Sequence, residues 1–200
     1  MDPSIKRSRD GVRVVLISLG ILGITAAAQA AIYLATGSIA LLADLIHNAG
    51  DALTAVPLGV AFLLRSEAAE RKAGLAIVGT IFASALAAGT FAVLRVVAPV
   101  APTHLLALGV AGAVGVIGNA VAARVRVDAG RRLDSPALIA DGQHARSDAV
   151  VSVGVILSAV VVALGVPIAD PILGLLITGL ILQITWESWR TVRAHDHQHP

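Results

Sequence analysis

Apolar residues run along this chain in six long blocks, each set off from the next by a short polar stretch. The blocks cover approximately Arg13–Ala35, Ile39–Leu64, Gly74–Ala98, Leu105–Val125, Pro136–Gly165 and Pro171–Trp189. A helix needs about 20 mostly apolar residues to cross a hydrocarbon core of roughly 30 Å. Every block is of that order. The pattern therefore predicts an all-α integral membrane protein with six transmembrane helices. The fifth block is long enough to tilt or to protrude.

The polar stretches alternate in charge. Lys6, Arg7, Arg9 and Arg13 precede the first block, and Arg65, Arg71 and Lys72 join the second to the third. Arg124, Arg126, Arg131 and Arg132 lie between the fourth and fifth, and Arg190 and Arg193 follow the sixth. The other connections, Thr36–Ser38, Pro99–His104 and Val166–Asp170, carry no Lys or Arg. Basic residues favour the cytoplasmic side of a membrane, so both termini are expected there. Arg95 and Arg146 depart from the pattern. Trp186 and Trp189 beside Arg190 suit an aromatic anchor at the cytoplasmic face. The expected division is a cytoplasmic N-terminal segment (1–12), a six-helix transporter domain (13–190) and a short His-containing tail (191–200). A basic start followed by VVLISLGILGI also resembles a signal peptide. Removing it would leave five spans with the termini on opposite sides, against the charge alternation.

Composition agrees. Of 200 residues, 56% are hydrophobic and only 14% charged, with mean hydropathy +0.84. Soluble domains are roughly 45–50% apolar and about 25% charged. Aromatics make up 3%, so the excess is aliphatic and small, suited to close helix packing in lipid. There is no cysteine, which excludes disulfides, thiolate zinc sites and thiol nucleophiles. The pI of 9.7 comes with a net charge of only +2, and its basic residues sit between apolar blocks, so no nucleic-acid partner is expected.

Two segments match. Ser38–Ala52 reads SIALLADLIHNAGDA, and Ser135–Ala149 reads SPALIADGQHARSDA. They share S-x-A-L-x-A-D-x-x-H-x-x-x-D-A, one in the second span and one in the fifth. His47 and Asp51, like His144 and Asp148, are four residues apart and so share a helix face. Asp44 and Asp141 lie one turn earlier on the same faces. Ionisable groups within a membrane rarely face lipid. Bringing the two helices together offers two imidazoles and two carboxylates, a donor set suited to tetrahedral Zn²⁺. Imidazole also accepts Co²⁺, Ni²⁺ or Fe²⁺, and Cd²⁺ and Mn²⁺ stay open. Ca²⁺ and Mg²⁺ prefer all-oxygen shells. Asp44 and Asp141 would orient ligands, relay protons or line a polar cavity. The alternatives are an intramembrane metal-dependent enzyme, with one of those aspartates as general base, a structural subunit whose polar clusters only lock helices together, and a passive cation or proton channel.

These residues resemble the cation diffusion facilitator family of metal transporters. The paired HxxxD is that family's metal pattern, and ALIADGQHARSDAVVSVGVILSAVVVALGVPIADPILGLLITGLIL resembles its fifth and sixth helices. The similarity is strong over Ser38–Asp51 and Asp134–Leu182 and weak in the third span. The resemblance implies His47, Asp51, His144 and Asp148 as transport-site ligands. It implies proton-coupled export of Zn²⁺ or a similar ion from the cytoplasm by a homodimer, and a transporter rather than an enzyme. The chain differs from the family in three ways. It ends soon after the sixth span, where a C-terminal cytoplasmic domain usually follows. RSEAAERKAG lacks the family's His-Pro-Tyr-Gly-type stretch, and no His-rich loop separates the fourth and fifth spans. A short member of the family, in a bacterial inner membrane, is the expectation.

Metal binding needs neutral imidazole and ionised carboxylate, so loading the site releases protons. Alternating access with proton exchange follows. Among the remaining residues, Asp170-Pro171 reads as a helix start, Asn119 as a hydrogen bond between helices, and His195-Asp196-His197-Gln198-His199 as an unstructured tail. Arg146 is expected off the ligand face.

Overall fold

The computed structural model describes the backbone of residues 3–64, 67–134 and 136–194. Side chains are described within these except at 3–9, 54–64, 67–74, 76–77, 136–137, 140–141, 187–188 and 190–194. The side chain of Asp141 and residues 195–200 of the His-containing tail therefore lie outside the described residues. Six helices and no strand appear among the described residues: α1 (Pro3–Thr36), α2 (Ile39–Leu64), α3 (Glu67–Val97), α4 (Leu105–Arg132), α5 (Pro136–Ala163) and α6 (Ala169–Ala194). Over the described residues, α1, α3, α4, α5 and α6 hold stretches long and apolar enough to cross a membrane. Large apolar side chains such as Ile24, Leu106, Val150 and Leu176 face outward, as lipid contact allows.

Four helices run past their apolar blocks. α1 begins at Pro3 rather than Arg13, α3 at Glu67 rather than Gly74, α4 ends at Arg132 rather than Val125, and α6 at Ala194 rather than Trp189. Hydropathy marks where lipid begins, whereas backbone hydrogen bonding continues through the Arg, Lys, Glu and Ala that follow, all good helix formers.

The links free of Lys and Arg gather at one end of the bundle. Gly37, at φ 63°, turns α1 into α2 in a left-handed conformation that side chains resist. Thr103 N–H donates to Thr36 O at 3.0 Å and Thr103 Oγ1 to Ala35 O at 3.0 Å, tying the α3–α4 link to the end of α1. Arg95, the charge exception, donates to Val100 O of that link. Asp170 completes this end. Its carboxylate accepts from Ser38 Oγ (2.5 Å), Ile39 N–H (2.7 Å) and Ser158 Oγ (2.7 Å). The helix start expected at Asp170-Pro171 is where α6 begins. Pro171 does occupy the first turn of α6, but the Asp170 side chain serves the N-terminus of α2 and the end of α5. Three orphan donors of neighbouring helices outcompete its own first turn.

α4 and α5 form the most intimate pair. Their backbones come so close that a Cβ at Gly142 would lie 2.9 Å from Val127 N, and one at Gly112 would lie 2.9 Å from Ile156 N. Such contact maximises dispersion where hydrophobic driving force between helices is absent. Leu41, Leu108, Val155 and Ile177 centre the apolar core between the Asp170 end and mid-bundle.

Asp170→Ala strands three buried donors, each worth about 1–3 kcal/mol when left unpaired. Thermal unfolding in detergent should show a midpoint several degrees lower. Asp128→Ala, on an exposed α4 face, should leave the midpoint almost unchanged.

Candidate metal centre

The two matched segments meet. α2 presents His47 and Asp51, and α5 presents Asp148 and His144, near the middle of both helices. His47 Nε2 and Asp148 Oδ1 share a hydrogen bond at 2.9 Å, and His47 Nε2 lies 3.6 Å from Asp51 Oδ2. His144 Nε2 lies 3.9 Å from both Asp51 Oδ1 and Asp148 Oδ1. Each imidazole therefore approaches the carboxylate of its own helix and that of the other. The rings stand 6.5 Å apart and nearly perpendicular. Donor atoms of His47, Asp51 and Asp148 all fall within 4.8 Å of one another.

Metal–ligand bonds of about 2.0–2.2 Å put tetrahedral donors roughly 3.4 Å apart. The contacts at 3.6 and 3.9 Å are within a few tenths of an ångström of that edge. The contact at 2.9 Å is closer, because a proton bridges it. Seating an ion would replace that proton and spread His47 from Asp148 slightly. The same atoms thus suit a proton-bridged state and a metal-bound one.

Burial differs around the site. His47 and Asp148 are enclosed, whereas the His144 side chain is 42% exposed. Arg146 is exposed and off the ligand face. Beside the ligands a cavity is lined by His47 and Asp51 of α2, Val78 and Ile81 of α3, and Ile184 and Thr185 of α6. A Cβ on Gly50 would come within 3.0 Å of Ile81 Cδ1, so α3 packs closely over this turn of α2. The lining residues of α3 and α6 lie nearer to the basic ends of those helices than to the Asp170 tie.

Asp44 is not part of this donor cluster. Its carboxylate accepts from Gln29 Nε2 (2.6 Å) and Ser152 Oγ (2.9 Å). Gln29 Oε1 accepts from Asn48 Nδ2, and Asn48 Oδ1 from Asn119 Nδ2, both at 2.8 Å. Asn119 therefore makes the inter-helix bond its sequence context predicts. The sequence reading passed over Gln29, Asn48 and Ser152. Their signal is that each places a hydrogen-bonding side chain in a mainly aliphatic run.

The chain matches the model of the cation efflux transmembrane domain over residues 15–193. It is 45% identical over 203 residues to a Mycobacterium tuberculosis protein named "Probable cation efflux system protein", covering 96% of this chain and 61% of that relative. It is 30% identical over 167 residues to magnetosome protein MamB of Magnetospirillum gryphiswaldense, covering 77% of this chain and 56% of that protein. An uncharacterized transporter of Synechocystis is 30% identical over 191 residues, covering 89% and 60% respectively. The chain spans about three fifths of the length of these relatives.

Titration calorimetry with Zn²⁺ in detergent should give one saturable site per chain. Affinity should rise with pH, because imidazole must lose its proton to ligate. Asp148→Ala should weaken binding beyond the roughly 10–100-fold typical of losing an outer-shell partner. Unchanged Zn²⁺ affinity in that variant would exclude Asp148 as a ligand.

Proposed function

The chain belongs to the cation efflux family, and from that premise we propose that it exports a divalent transition metal from the cytoplasm, Zn²⁺ foremost, in exchange for protons. His47, Asp51, His144 and Asp148 hold the ion in transit. The observation that carries this reading is the convergence of two matched HxxxD turns on one point between α2 and α5. Two separate structural clamps would have no reason to meet with donors near tetrahedral spacing.

Zn²⁺ suits the pair of imidazoles and pair of carboxylates. Co²⁺, Ni²⁺, Fe²⁺, Cd²⁺ and Mn²⁺ are the competing cargoes, ordered by affinity and geometry. Proton coupling is supported by the His47–Asp148 hydrogen bond, which an incoming ion must replace. Protons returning from the far side would re-form it and release the metal. Loading from the cytoplasm is supported by the place of the cavity, nearer the basic ends of α3 and α6, while the opposite end is held together by hydrogen bonds to Asp170. Both termini then lie in the cytoplasm, in a bacterial inner membrane. Assembly as a homodimer, which the family resemblance implies, belongs to the same reading.

Proteoliposomes loaded at acidic pH and diluted into neutral buffer should take up Zn²⁺ saturably. Uptake should fall when an ionophore collapses the gradient, and should be lost in Asp51→Ala. Flux indifferent to the gradient would remove proton exchange from the proposal. Equal flux in wild type and Asp51→Ala would remove the site.

A further inference from the structure

α2 and α5, which carry all four ligands, pack lightly on each other, whereas α5 lies chiefly against α4 and α2 against α1, α3 and α6. The hydrogen bonds that join them directly include these two. One is His47 to Asp148 at 2.9 Å, and the other is Ser152 to Asp44 at 2.9 Å. The second rung lies one helical turn further along both helices, toward the Asp170 end. The first rung belongs to the site and must open whenever an ion is seated. The second does not touch the ion.

The second rung is built with unusual completeness. Gln29, Asp44, Asn48, Asn119 and Ser152 are all fully buried. Gln29 of α1 is the hinge of this network, since its amide donates to Asp44 and accepts from Asn48. Asn119 of α4 then holds Asn48. Four helices are thereby locked to one carboxylate. α4 makes room with bare backbone, for a Cβ at Gly115 would lie 2.6 Å from Ser152 Oγ and 2.7 Å from Gln29 Nε2. Both donors to Asp44 pass over that glycine.

We propose that Asp44, gripped by Gln29 and Ser152, is a positioning residue that sets the spacing of α2 and α5 and so imposes tetrahedral geometry on the ion between them. This rests on the four-ligand site proposed above. When an ion replaces the proton between His47 and Asp148, the Asp44 rung keeps the two helices in register. Without it, α5 is free to slide with α4, and the donors lose the spacing that favours tetrahedral over octahedral ions. Buried hydrogen-bond networks tie together the helices that share them, although here Asn119 Oδ1 is left without a partner.

Co²⁺ is the probe, because tetrahedral Co²⁺ absorbs visible light far more strongly than octahedral Co²⁺. Titrated into the full chain in detergent, it should give the intense tetrahedral bands in wild type and none in Asp148→Ala. Ser152→Ala, and Gly115→Ala whose methyl intrudes on both donors, should weaken Co²⁺ binding about 10–100-fold and diminish those bands. Ser152→Thr, which keeps the hydroxyl, should restore them. A purely structural role would lower the unfolding midpoint and leave the spectrum of bound Co²⁺ unchanged. Wild-type spectrum and affinity in both Ser152→Ala and Gly115→Ala would overturn the positioning role while leaving the site intact. Absent bands in wild type, or bands that survive Asp148→Ala, would overturn the site and this role with it.

Discussion

A carboxylate or imidazole placed in an apolar helix must find a partner of complementary chemistry, because lipid supplies none. That requirement organises this molecule. Apolar packing between helices in lipid is weakly directional, so the polar side chains decide which helices meet and in what register. Three such groups are stacked along the bundle. Asp170 ties α2, α5 and α6 at one end. The Asp44 network joins α1, α2, α4 and α5 below it. The cluster of His47, Asp51 and Asp148, with His144 beside it, follows, and beyond it the cavity.

The stack has a direction. Donors around Asp170 and Asp44 are matched by acceptors, so these layers are rigid and closed. The ligand layer has looser contacts, a half-exposed His144 and an adjoining cavity lined by branched aliphatic residues. Paired donors hold the helices at the Asp170 and Asp44 layers, and looser contacts surround the cluster of His47, Asp51 and Asp148. The small residues of α4 make the arrangement possible, since Gly112 and Gly115 let α5 approach closely enough for Ser152 to reach across to Asp44.

Much of this was legible in the chain itself. Hydropathy predicts six helices, and α2 begins at its expected bound because Gly37 punctuates the chain there. The paired HxxxD turns are visible because a four-residue spacing fixes a helix face whatever the tertiary fold. What the sequence conceals is relational. That Asp170 serves the start of α2 rather than its own helix depends on where α6 is docked. Gln29, Asn48 and Ser152 look like ordinary polar insertions until the bundle brings them onto Asp44. Helix ends beyond the apolar blocks are hidden for another reason, since hydropathy reports lipid and not hydrogen bonding.

The proposed function requires that one metal ion be held jointly by the matched turns of α2 and α5. X-ray absorption at the zinc edge of the Zn²⁺-loaded protein tests it most directly, because it reads the donor atoms themselves. The account predicts four light donors at about 2.0–2.1 Å, two of them with the outer-shell scattering of imidazole, and loss of one imidazole in His47→Ala. A first shell of six oxygens without imidazole scattering would contradict it.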